Sequence, residues 1–314
     1  SGLFERVEVG FGRGSGRVEV SRQDRFIATT WWTAHIAQAA ARELGHTGFV
    51  YLIQEYEPFT FPMGSFAALA EQSYRFPHFG LFSTELLRGY FRAHGLGVYA
   101  TGPANGDADS ASFQNAITAI DAPTVAALAA RSRRRLLFYA RPEPHAARNM
   151  FELGLMALQR ALEEGAFRQG WDLHGIGTVG GRRGLSLAPG AELELLPRAA
   201  QSDYAELLRD HDVGLALMYT PHPSLVPIEM ASAGLVTVTN SFQNKTAQAL
   251  AQISGNLVTA EPTIDAVAEA LAQAGRRAED FERRVQGSAV DWSRDWQTSF
   301  PDELVERLEA YLAG

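Results

Sequence analysis

The sequence of 314 residues contains no cysteine, which excludes disulfide bonds and thiolate metal sites. No stretch approaches the ~18 consecutive apolar residues that a membrane-spanning helix needs, and the first residues show no signal-peptide pattern. These absences predict a cytoplasmic protein without a transmembrane segment, working in solution or at the inner face of a membrane.

Lysine is almost missing, because 27 of the 28 basic residues are arginine and the exception is Lys245. We attribute the excess of arginine to the base composition of the source, so the lone lysine is a weak functional hint. The formal net charge is −8. Extended contact with a nucleic acid is therefore a poor expectation.

The signatures of several cofactor and hydrolase sites are missing as well. The glycine-rich stretch GFGRGSG (10–16) lacks the flanking strand and helix of a dinucleotide fingerprint, so we predict a hairpin turn or a flexible loop there. The sequence has no nucleophile elbow, no triad-like set of histidines and no convincing cluster of metal ligands. The pair Asp107 and Asp109 is assigned to a solvated loop, and we predict neither a metal ion nor a bound cofactor.

What the sequence does contain is a regular alternation of short apolar runs with amphipathic runs. Such a pattern predicts parallel sheets that are covered on both faces. The predicted strands are 25–30, 48–54, 79–84, 97–102, 134–140, 172–177, 213–219, 235–239 and 256–260. The predicted helices are 33–44, 65–75, 84–95, 146–164, 203–210, 227–233, 245–253 and 263–285.

The fold class predicted from this alternation is α/β, with two Rossmann-like domains that face a central cleft. A polar break at 103–130 divides them, so we assign 1–124 to an N-terminal domain and 125–290 to a C-terminal domain. Residues 291–314 are predicted to form a helix that returns to the first domain. The opening residues do not resemble the strand, glycine loop and helix that begin such a domain. We therefore expect its first strands to be missing and further domains to exist in a longer chain.

The stretch TPHPSLVPIEMASAGLVTVTN (220–240) is the most unusual in the sequence. Its prolines fix φ along a loop, Pro227 suits the first position of a short helix, and Gly234 suits the position after its end. Unpaired amides at such a helix start favour a phosphate. Glu229 can accept hydrogen bonds from ribose hydroxyls or simply complement the helix dipole, and the residues alone leave both interpretations open.

The spacing P-x-x-E-x-x-x-x-G between two strands resembles the donor-binding motif of retaining GT-B glycosyltransferases of family 4. That family usually has a second glutamate where this sequence has Pro221. The fuller pattern TPHPSLVPIEM…VTNSFQNK resembles WsaF-type rhamnosyltransferases. So do YARPEPHAARNMFELGLMAL (139–158) and YLIQEYEPFTFPMGSFAALAEQSYRF (51–76), and the resemblance covers residues 25–285.

This resemblance implies a GT-B enzyme that transfers L-rhamnose from dTDP-L-rhamnose to a bacterial surface glycan, free or lipid-linked, with retention. It implies that Arg141, Arg148 and Lys245 face the donor diphosphate without a metal ion. It also implies that Glu229, Arg141 and Lys245 are the catalytic residues. Fixed cations would stabilise the charge that builds on the leaving diphosphate.

The remaining donor contacts are expected in three places. By resemblance, the segment 195–208 lies beneath the nucleobase. The glycines after the strand at 172–177 allow close backbone approach, and the proline loop could approach the donor sugar. The residues predicted to contact the donor in these places and in the TNSFQNK stretch are Gly177, Leu196, Pro197, Arg198, His222, Ser224 and Asn244.

The acceptor is expected on the N-terminal side, where QEYEPFTFPMGS (54–65) follows a strand end. Carboxylates and aromatic faces suit the hydroxyls and the apolar ring faces of a sugar. The predicted acceptor-side residues are Glu55, Glu57, Met63 and Gly64. Either glutamate could act as a base, although the common proposal for the family gives that role to the donor phosphate.

Two other classes of protein fit part of the sequence. A nucleotide-sugar epimerase would need a Y-x-x-x-K pair and a glycine fingerprint, and the sequence has neither. A catalytically silent module that binds nucleotide sugar or glycan within a larger glycan-synthesis protein remains the alternative.

Overall fold

The computed structural model describes residues 4–7, 19–177, 184–197 and 200–313. Arg198 and the predicted turn at 10–16 lie outside the described residues. The described chain forms a four-stranded and a seven-stranded sheet, both flanked by helices.

The N-terminal sheet has four parallel strands that follow the order of the chain. Its elements are β1 (Ile27–Ala28), α1 (Trp31–Leu44), β2 (Phe49–Ile53), α2 (Ser65–Ser73), β3 (His78–Ser83), α3 (Glu85–His94), α4 (Pro103–Ala108) and β4 (Ser110–Phe113). Short 3-10 helices lie at Phe4–Arg6, Glu57–Thr60 and Gly97–Tyr99. The strand order is β1-β2-β3-β4, and Phe49 pairs with His78 where β2 meets β3.

The C-terminal sheet has seven strands. Its elements begin with α5 (Val125–Ala129), β5 (Arg134–Tyr139), a 3-10 helix (Pro144–Asn149), α6 (Phe151–Glu163), β6 (Trp171–Ile176), β7 (Gly184–Ala188) and β8 (Ala191–Leu195). They continue with α7 (Gln201–Arg209), β9 (Val213–Leu215), α8 (Leu225–Ser232), β10 (Val236–Asn240), α9 (Ala247–Ile253), β11 (Leu257–Ala260), α10 (Ile264–Arg277) and α11 (Phe281–Gly287). The chain then continues through α12 (Trp296–Ser299) to α13 (Asp302–Ala313), which packs against the N-terminal sheet. The order is β11-β10-β9-β5-β6-β8-β7, and only the β7–β8 pair is antiparallel within the described strands.

The side chains of β2 alternate between two apolar layers. Phe49 and Tyr51 belong to the layer beneath α1 and α3. Val50 belongs to the opposite layer, where it packs with Phe79 and with Leu304 of α13. This period of two is the pattern of a strand that is buried on both faces.

One predicted strand is wrong. Residues 97–102 form a 3-10 helix and a turn, and the fourth strand of the sheet is β4, within the stretch assigned to the polar break. The physical reason is that Gly97 and Gly102 have φ of 56° and 123°, which lie outside the strand region. Asp107 does not lie in a solvated loop either, because it belongs to α4 and forms ion pairs with Arg88 and Arg92 at 3.0 and 3.1 Å.

Other boundaries differ from the predicted ones. The helix predicted at 263–285 is two helices, α10 and α11, and Asp280 caps the second by accepting from the N–H of Arg283 at 3.1 Å. The hairpin of β7 and β8 was not predicted. Helix α8 begins at Leu225, so Pro227 is its third residue and Glu229 its fifth.

Candidate functional site

A cavity of about 370 Å³ opens between the two sheets, at the carboxyl ends of their strands. Residues just beyond β1, β2 and β3 form one wall, and residues just beyond β5 and β9 form the other. Ligands of open α/β sheets bind at this place. The predicted site residues that line the cavity are Arg141, Arg148, His222, Ser224, Glu55 and Glu57.

Arg141 lies two residues after β5, with its guanidinium held by its neighbours. Its Nε donates to Oε2 of Glu143 at 2.9 Å, and its Nη1 donates to the hydroxyl of Tyr139 at 3.0 Å. Gly177, just after β6, has φ of 106°, and a Cβ at this position would lie 2.8 Å from Cδ of Arg141. A side chain at position 177 would therefore crowd the observed conformation of Arg141.

Arg148 lies in the 3-10 helix that follows β5. Its Nη1 donates to the carbonyl of His145 at 3.3 Å. Its buried Nε donates no hydrogen bond within the described part of the chain, and Oε2 of Glu55 lies 3.9 Å from it. An anion entering the cavity would meet an arginine whose Nε is uncommitted.

Lys245 differs from the prediction that it faces the diphosphate. It is fully buried, and its Nζ donates to the carbonyl of Met218 at 2.6 Å. The amide of Asn240 accepts from the N–H of Met218 at 2.7 Å. Both side chains thus support the peptide at the end of β9. Burial lowers the pKa of Lys245 to about 7, although Glu55 opposes this shift.

His222 links the two walls of the cavity. Its Nδ1 accepts from the N–H of Ser224 at 3.0 Å, and its Nε2 lies 3.3 Å from Oγ of Ser83. Burial lowers the pKa of His222 to about 3, so the ring is neutral. We assign its proton to Nε2 because Nδ1 accepts. Nε2–H then donates to Ser83, whose own hydroxyl donates to Oδ1 of Asn115 at 2.7 Å.

Ser224 has φ of 66° although it is not glycine. Such a conformation costs free energy and persists only where surrounding contacts hold it. The bond to His222 is one such contact.

Glu229 is engaged by the protein itself. Its Oε1 accepts from the N–H and the hydroxyl of Thr118 at 3.0 and 2.8 Å, and its Oε2 accepts from the hydroxyl of Tyr204 at 3.1 Å. Burial, followed by the charge of Glu229, raises the pKa of Tyr204, which keeps its hydroxyl a donor. Thr118 lies in the segment that joins the two sheets, so Glu229 ties this segment to α8. Neither the helix-dipole nor the ribose interpretation predicted that contact.

Three further predicted donor contacts lie away from the cavity wall. Nδ2 of Asn244 donates to the carbonyl of Leu86 at 2.6 Å, which joins the two domains. Leu196, just after β8, packs against the same buried cluster as Tyr139 and Tyr204, and Pro197 is exposed. Arg198 has no described position.

Of the four predicted acceptor-side residues, Glu55 and Glu57 line the cavity, whereas Met63 and Gly64 do not. Oε2 of Glu57 accepts from the N–H of Trp31 at 2.5 Å and from the hydroxyl of Tyr51 at 3.2 Å, which caps the start of α1. Burial raises the pKa of Glu57 to about 7. Met63 is 97% exposed, and neither Met63 nor Gly64 lines the cavity.

Sequence analysis missed several small polar residues of this region. Thr220 lies inside the proline stretch, and its Oγ1 donates to Oε2 of Glu55 at 3.3 Å. Asn115 follows β4, a strand that was not predicted, so no strand end marked it. Ser83, Thr118 and Tyr204 carry no local signal, because their partners are distant in sequence.

A larger cavity of about 1110 Å³ lies at the opposite edge of the C-terminal sheet, near the starts of β5 and β6. Its charged side chains pair with each other: Arg133 contacts Asp172 at 2.5 Å, and Arg135 lies 3.8 Å from the same carboxylate. Within residues 4–7, 19–177, 184–197 and 200–313, no three histidine or acidic side chains converge as metal ligands. No described helix is both long and apolar enough to cross a bilayer.

Two models of one family match the sequence. The N-terminal domain of WsaF matches residues 8–84, and the C-terminal domain of WsaF matches residues 134–272. The O-antigen biosynthesis protein RfbC of Myxococcus xanthus is 32% identical over 259 residues, which make up 80% of this chain and 18% of that protein. The chain thus spans less than a fifth of the length of this curated relative.

Solved structures share the fold at low identity. The catalytic domain of starch synthase IV from Arabidopsis thaliana, bound to ADP and acarbose, has a TM-score of 0.60 at 13% identity and covers 93% of this chain and 73% of that one. Alr3699/HepE from Anabaena, in complex with UDP and glucose, has a TM-score of 0.56 at 12% identity over 90% and 76%. WaaG, a glycosyltransferase involved in lipopolysaccharide biosynthesis, has a TM-score of 0.54 at 16% identity over 90% and 82%. The predicted GT-B fold is confirmed. The chain belongs to the WsaF family, within the GT-B fold of glycosyltransferases.

Proposed function

We propose that the chain is a retaining glycosyltransferase that moves L-rhamnose from dTDP-L-rhamnose to a glycan acceptor of the bacterial surface. The observation that carries this proposal is the cavity between the carboxyl ends of the two sheets, with Arg141 and Arg148 on one wall. Membership in the WsaF family supports L-rhamnose as the transferred sugar. Similarity to an O-antigen biosynthesis protein supports the acceptor class.

The domains take different parts in this proposal. Residues 125–290 bind the donor, because they supply both arginines and the loop before α8. Residues 1–124 face the acceptor, and residues 291–314 return to the N-terminal sheet. Acceptors that fit are a free or a lipid-linked glycan.

The arginines act on the leaving group. Breaking the bond between the anomeric carbon and the diphosphate leaves negative charge on the diphosphate oxygens. Guanidinium groups held beforehand stabilise this charge with little reorganisation. Among the residues that the structure describes, no metal-ligand set converges, so we assign this charge to Arg141 and Arg148.

Glu229 is assigned to the donor ribose. A ribose hydroxyl that approaches this carboxylate would share it with, or take the place of, the hydroxyl of Thr118. Oε1 of Glu229 now accepts both bonds from Thr118, so the ribose hydroxyl would compete with Thr118 for this oxygen. Binding of the nucleoside would then act on the segment that joins the two domains.

Neither glutamate of the N-terminal wall is a free base. Glu57 accepts from Trp31 and Tyr51, and Glu55 faces Arg148. We therefore assign the acceptor proton to the leaving diphosphate. The acceptor oxygen then bonds to the anomeric carbon on the face that the diphosphate leaves, which retains the configuration.

Calorimetry with thymidine, uridine and guanosine diphosphates tests the donor. Thymidine diphosphate should bind, and at about 100 times its Kd it should stabilise the protein by ~2.7 kcal/mol. Good binding of uridine or guanosine diphosphate with no binding of thymidine diphosphate would reject the donor assignment. Binding of thymidine diphosphate without any turnover of dTDP-L-rhamnose would instead favour the silent binding module.

A further inference from the structure

We propose that, in the empty cleft, the carboxylate of Glu55 pairs with the positive charge of Arg148 at the site where the donor diphosphate would bind. Donor binding must then displace this carboxylate or neutralise it. The proposal rests on the function proposed above for the same cavity. It moves Glu55 from the acceptor side to the donor side, and it makes Glu55 a determinant of donor affinity.

The first observation is that Glu55 crosses from one domain to the other. It follows β2 of the N-terminal sheet, yet its Oε2 accepts from Oγ1 of Thr220 at 3.3 Å and lies 3.9 Å from Nε of Arg148. Thr220 and Arg148 belong to the loops after β9 and β5 of the C-terminal sheet. The carboxylate therefore lies beside Arg148, which is expected to meet the donor diphosphate.

The second observation is that the contact with Arg148 is loose. At 3.9 Å it is an ion pair without a hydrogen bond, and the buried Nε of Arg148 donates to nothing else in the described ranges. Phosphate oxygens form shorter, charge-assisted bonds with guanidinium groups. A diphosphate can thus replace the carboxylate at Arg148 with a gain in hydrogen bonding.

The third observation is the balance of charge around the carboxylate. Two cationic groups, Arg148 and Lys245, lie near it. The imidazole of His222 is neutral and lies close to both of these cations. The hydroxyl of Tyr74 donates to the backbone carbonyl of Glu55 and not to its carboxylate. Glu57 lies two residues on, with its carboxylate turned to Trp31 and Tyr51.

Burial sets the protonation of this group. It raises the pKa of Glu55 to about 7, while Arg148 and Lys245 act in the opposite direction. A proton can therefore enter Glu55 near neutral pH. Ionised Glu55 would repel an incoming diphosphate, and protonated Glu55 would not.

A direct consequence concerns the variant Glu55→Gln. Removing the negative charge removes the competitor and the repulsion together, so thymidine diphosphate should bind about tenfold tighter than to the wild type. If Glu55 were instead an acceptor ligand or a base, the affinity for thymidine diphosphate would not change. If it only joined the domains, the melting temperature would fall without a gain in affinity.

The experiment is calorimetry at pH 8 with thymidine diphosphate and with inorganic pyrophosphate, on the full chain. The variants are Glu55→Gln, Glu55→Asp, which keeps the charge, and Glu85→Gln. Glu85 is a control for net charge, because it lies on α3 with a side chain that is 67% exposed and outside the cavity. We expect tighter binding of both ligands to Glu55→Gln only, with Glu55→Asp and Glu85→Gln within about twofold of the wild type.

Each outcome decides one of two questions. Unchanged or weaker binding of both ligands to Glu55→Gln overturns the role of Glu55, and so does equal tightening by Glu55→Asp. Tighter pyrophosphate binding to Glu55→Gln with no binding of thymidine diphosphate to any variant keeps the role of Glu55 and rejects the proposed donor. If no variant binds either ligand, both proposals are wrong.

Discussion

At the scale of single residues, the two arginines of the cavity are held in different ways. Arg141 is fixed by Glu143 and Tyr139, and Gly177 leaves the space that its side chain needs. Arg148 keeps an uncommitted Nε. Arg141 is thus held in place before an anion binds, whereas Arg148 could exchange its contact with Glu55 for one with a ligand.

Arg141→Gln should weaken thymidine diphosphate binding about tenfold or more. A hydrogen bond to a charged group contributes ~1.5–3 kcal/mol, which corresponds to this change in Kd. The matched control is Arg135→Gln, at the opposite end of the same strand, whose guanidinium lies 3.6 Å from Asp210. Calorimetry on both variants checks the prediction, and equal losses would contradict it.

Glu229→Gln should lower both stability and donor affinity. The amide nitrogen of glutamine would face a donor, either Thr118 or Tyr204, where the carboxylate now accepts. We expect the free energy of unfolding to fall by ~1–3 kcal/mol and the Kd for thymidine diphosphate to rise about tenfold. Thymine alone, which lacks the ribose, should bind as before.

Thr118→Val separates these two effects of Glu229. It removes the hydroxyl but keeps the carboxylate, so stability should fall while the ribose position stays available. Urea unfolding and calorimetry on both variants provide the comparison. An unchanged Kd in Glu229→Gln would assign Glu229 to the joining segment alone.

The stability of the protein should depend on pH through Glu55. Burial raises its pKa from the ordinary 4.5 to about 7, so between these values the folded state holds a proton that the unfolded state has lost. The stability that protonated Glu55 contributes is fully present below its unfolded-state pKa of 4.5, and it is lost as the pH rises through its folded-state pKa of about 7. Burial also raises the pKa of Glu57 to about 7, so Glu57 adds the same pH dependence to the wild type and to Glu55→Gln and cancels in their comparison. The pKa of His222 is about 3, below this window, and that of Lys245 is about 7, at its upper end.

From pH 5 to pH 7, the free energy of unfolding of the wild type should therefore fall relative to Glu55→Gln, by on the order of 2 kcal/mol. Urea unfolding at the two pH values measures this difference. Glu85→Gln should follow the wild type. Parallel behaviour of wild type and Glu55→Gln would show that Glu55 does not carry the raised pKa.

The sequence predicts residue types better than residue partners. The family resemblance implied Arg141 and Arg148, and the proline loop indicated His222 and Ser224. All four line the cavity. The engagement of Glu229 could not be predicted, because Thr118 is 111 positions away.

At the scale of elements, the N-terminal sheet depends on the last helix of the chain. Its strands follow the order of the chain, and right-handed connections in one direction leave one face without helices of its own. Helix α13 covers that face with Leu304, Leu308 and Leu312. Their i, i+4, i+8 spacing was visible in the sequence.

Leu304→Ala should destabilise the protein by ~2–5 kcal/mol, because it removes a buried side chain and leaves a cavity beside Val50 and Phe79. Val305→Ala is the matched control, since Val305 is 37% exposed on the same helix. Urea unfolding of the two variants checks this. Equal and small losses would mean that α13 does not contribute to the core.

The elements that sequence analysis recognised are long or strongly apolar. The missed strand β4 (Ser110–Phe113) is short and contains two serines, so its composition resembles a loop. The false strand at 97–102 has β-favouring valine and tyrosine, but its two glycines turn the chain. Burial of β4 in the sheet decided the first case, and the backbone angles of Gly97 and Gly102 decided the second.

At the scale of the whole molecule, several polar contacts join the domains in and around the cavity. Glu55 meets Thr220, Ser83 meets His222, Asn244 meets Leu86, and Glu229 meets the joining segment. Three of them involve groups that we assign to the donor, namely Glu55, His222 and Glu229. Donor binding should therefore alter how the two domains are held together.

The most direct test of the central claim is the reaction itself. The full chain is incubated with dTDP-L-rhamnose and EDTA, with and without a rhamnose-containing acceptor, and thymidine diphosphate and the product linkage are measured by mass spectrometry and NMR. We predict slow release of thymidine diphosphate without acceptor, faster release with it, and a product that retains the anomeric configuration of the donor. An inverted product, a strict need for Mg²⁺ or Mn²⁺, or binding of the donor without any turnover would contradict this account.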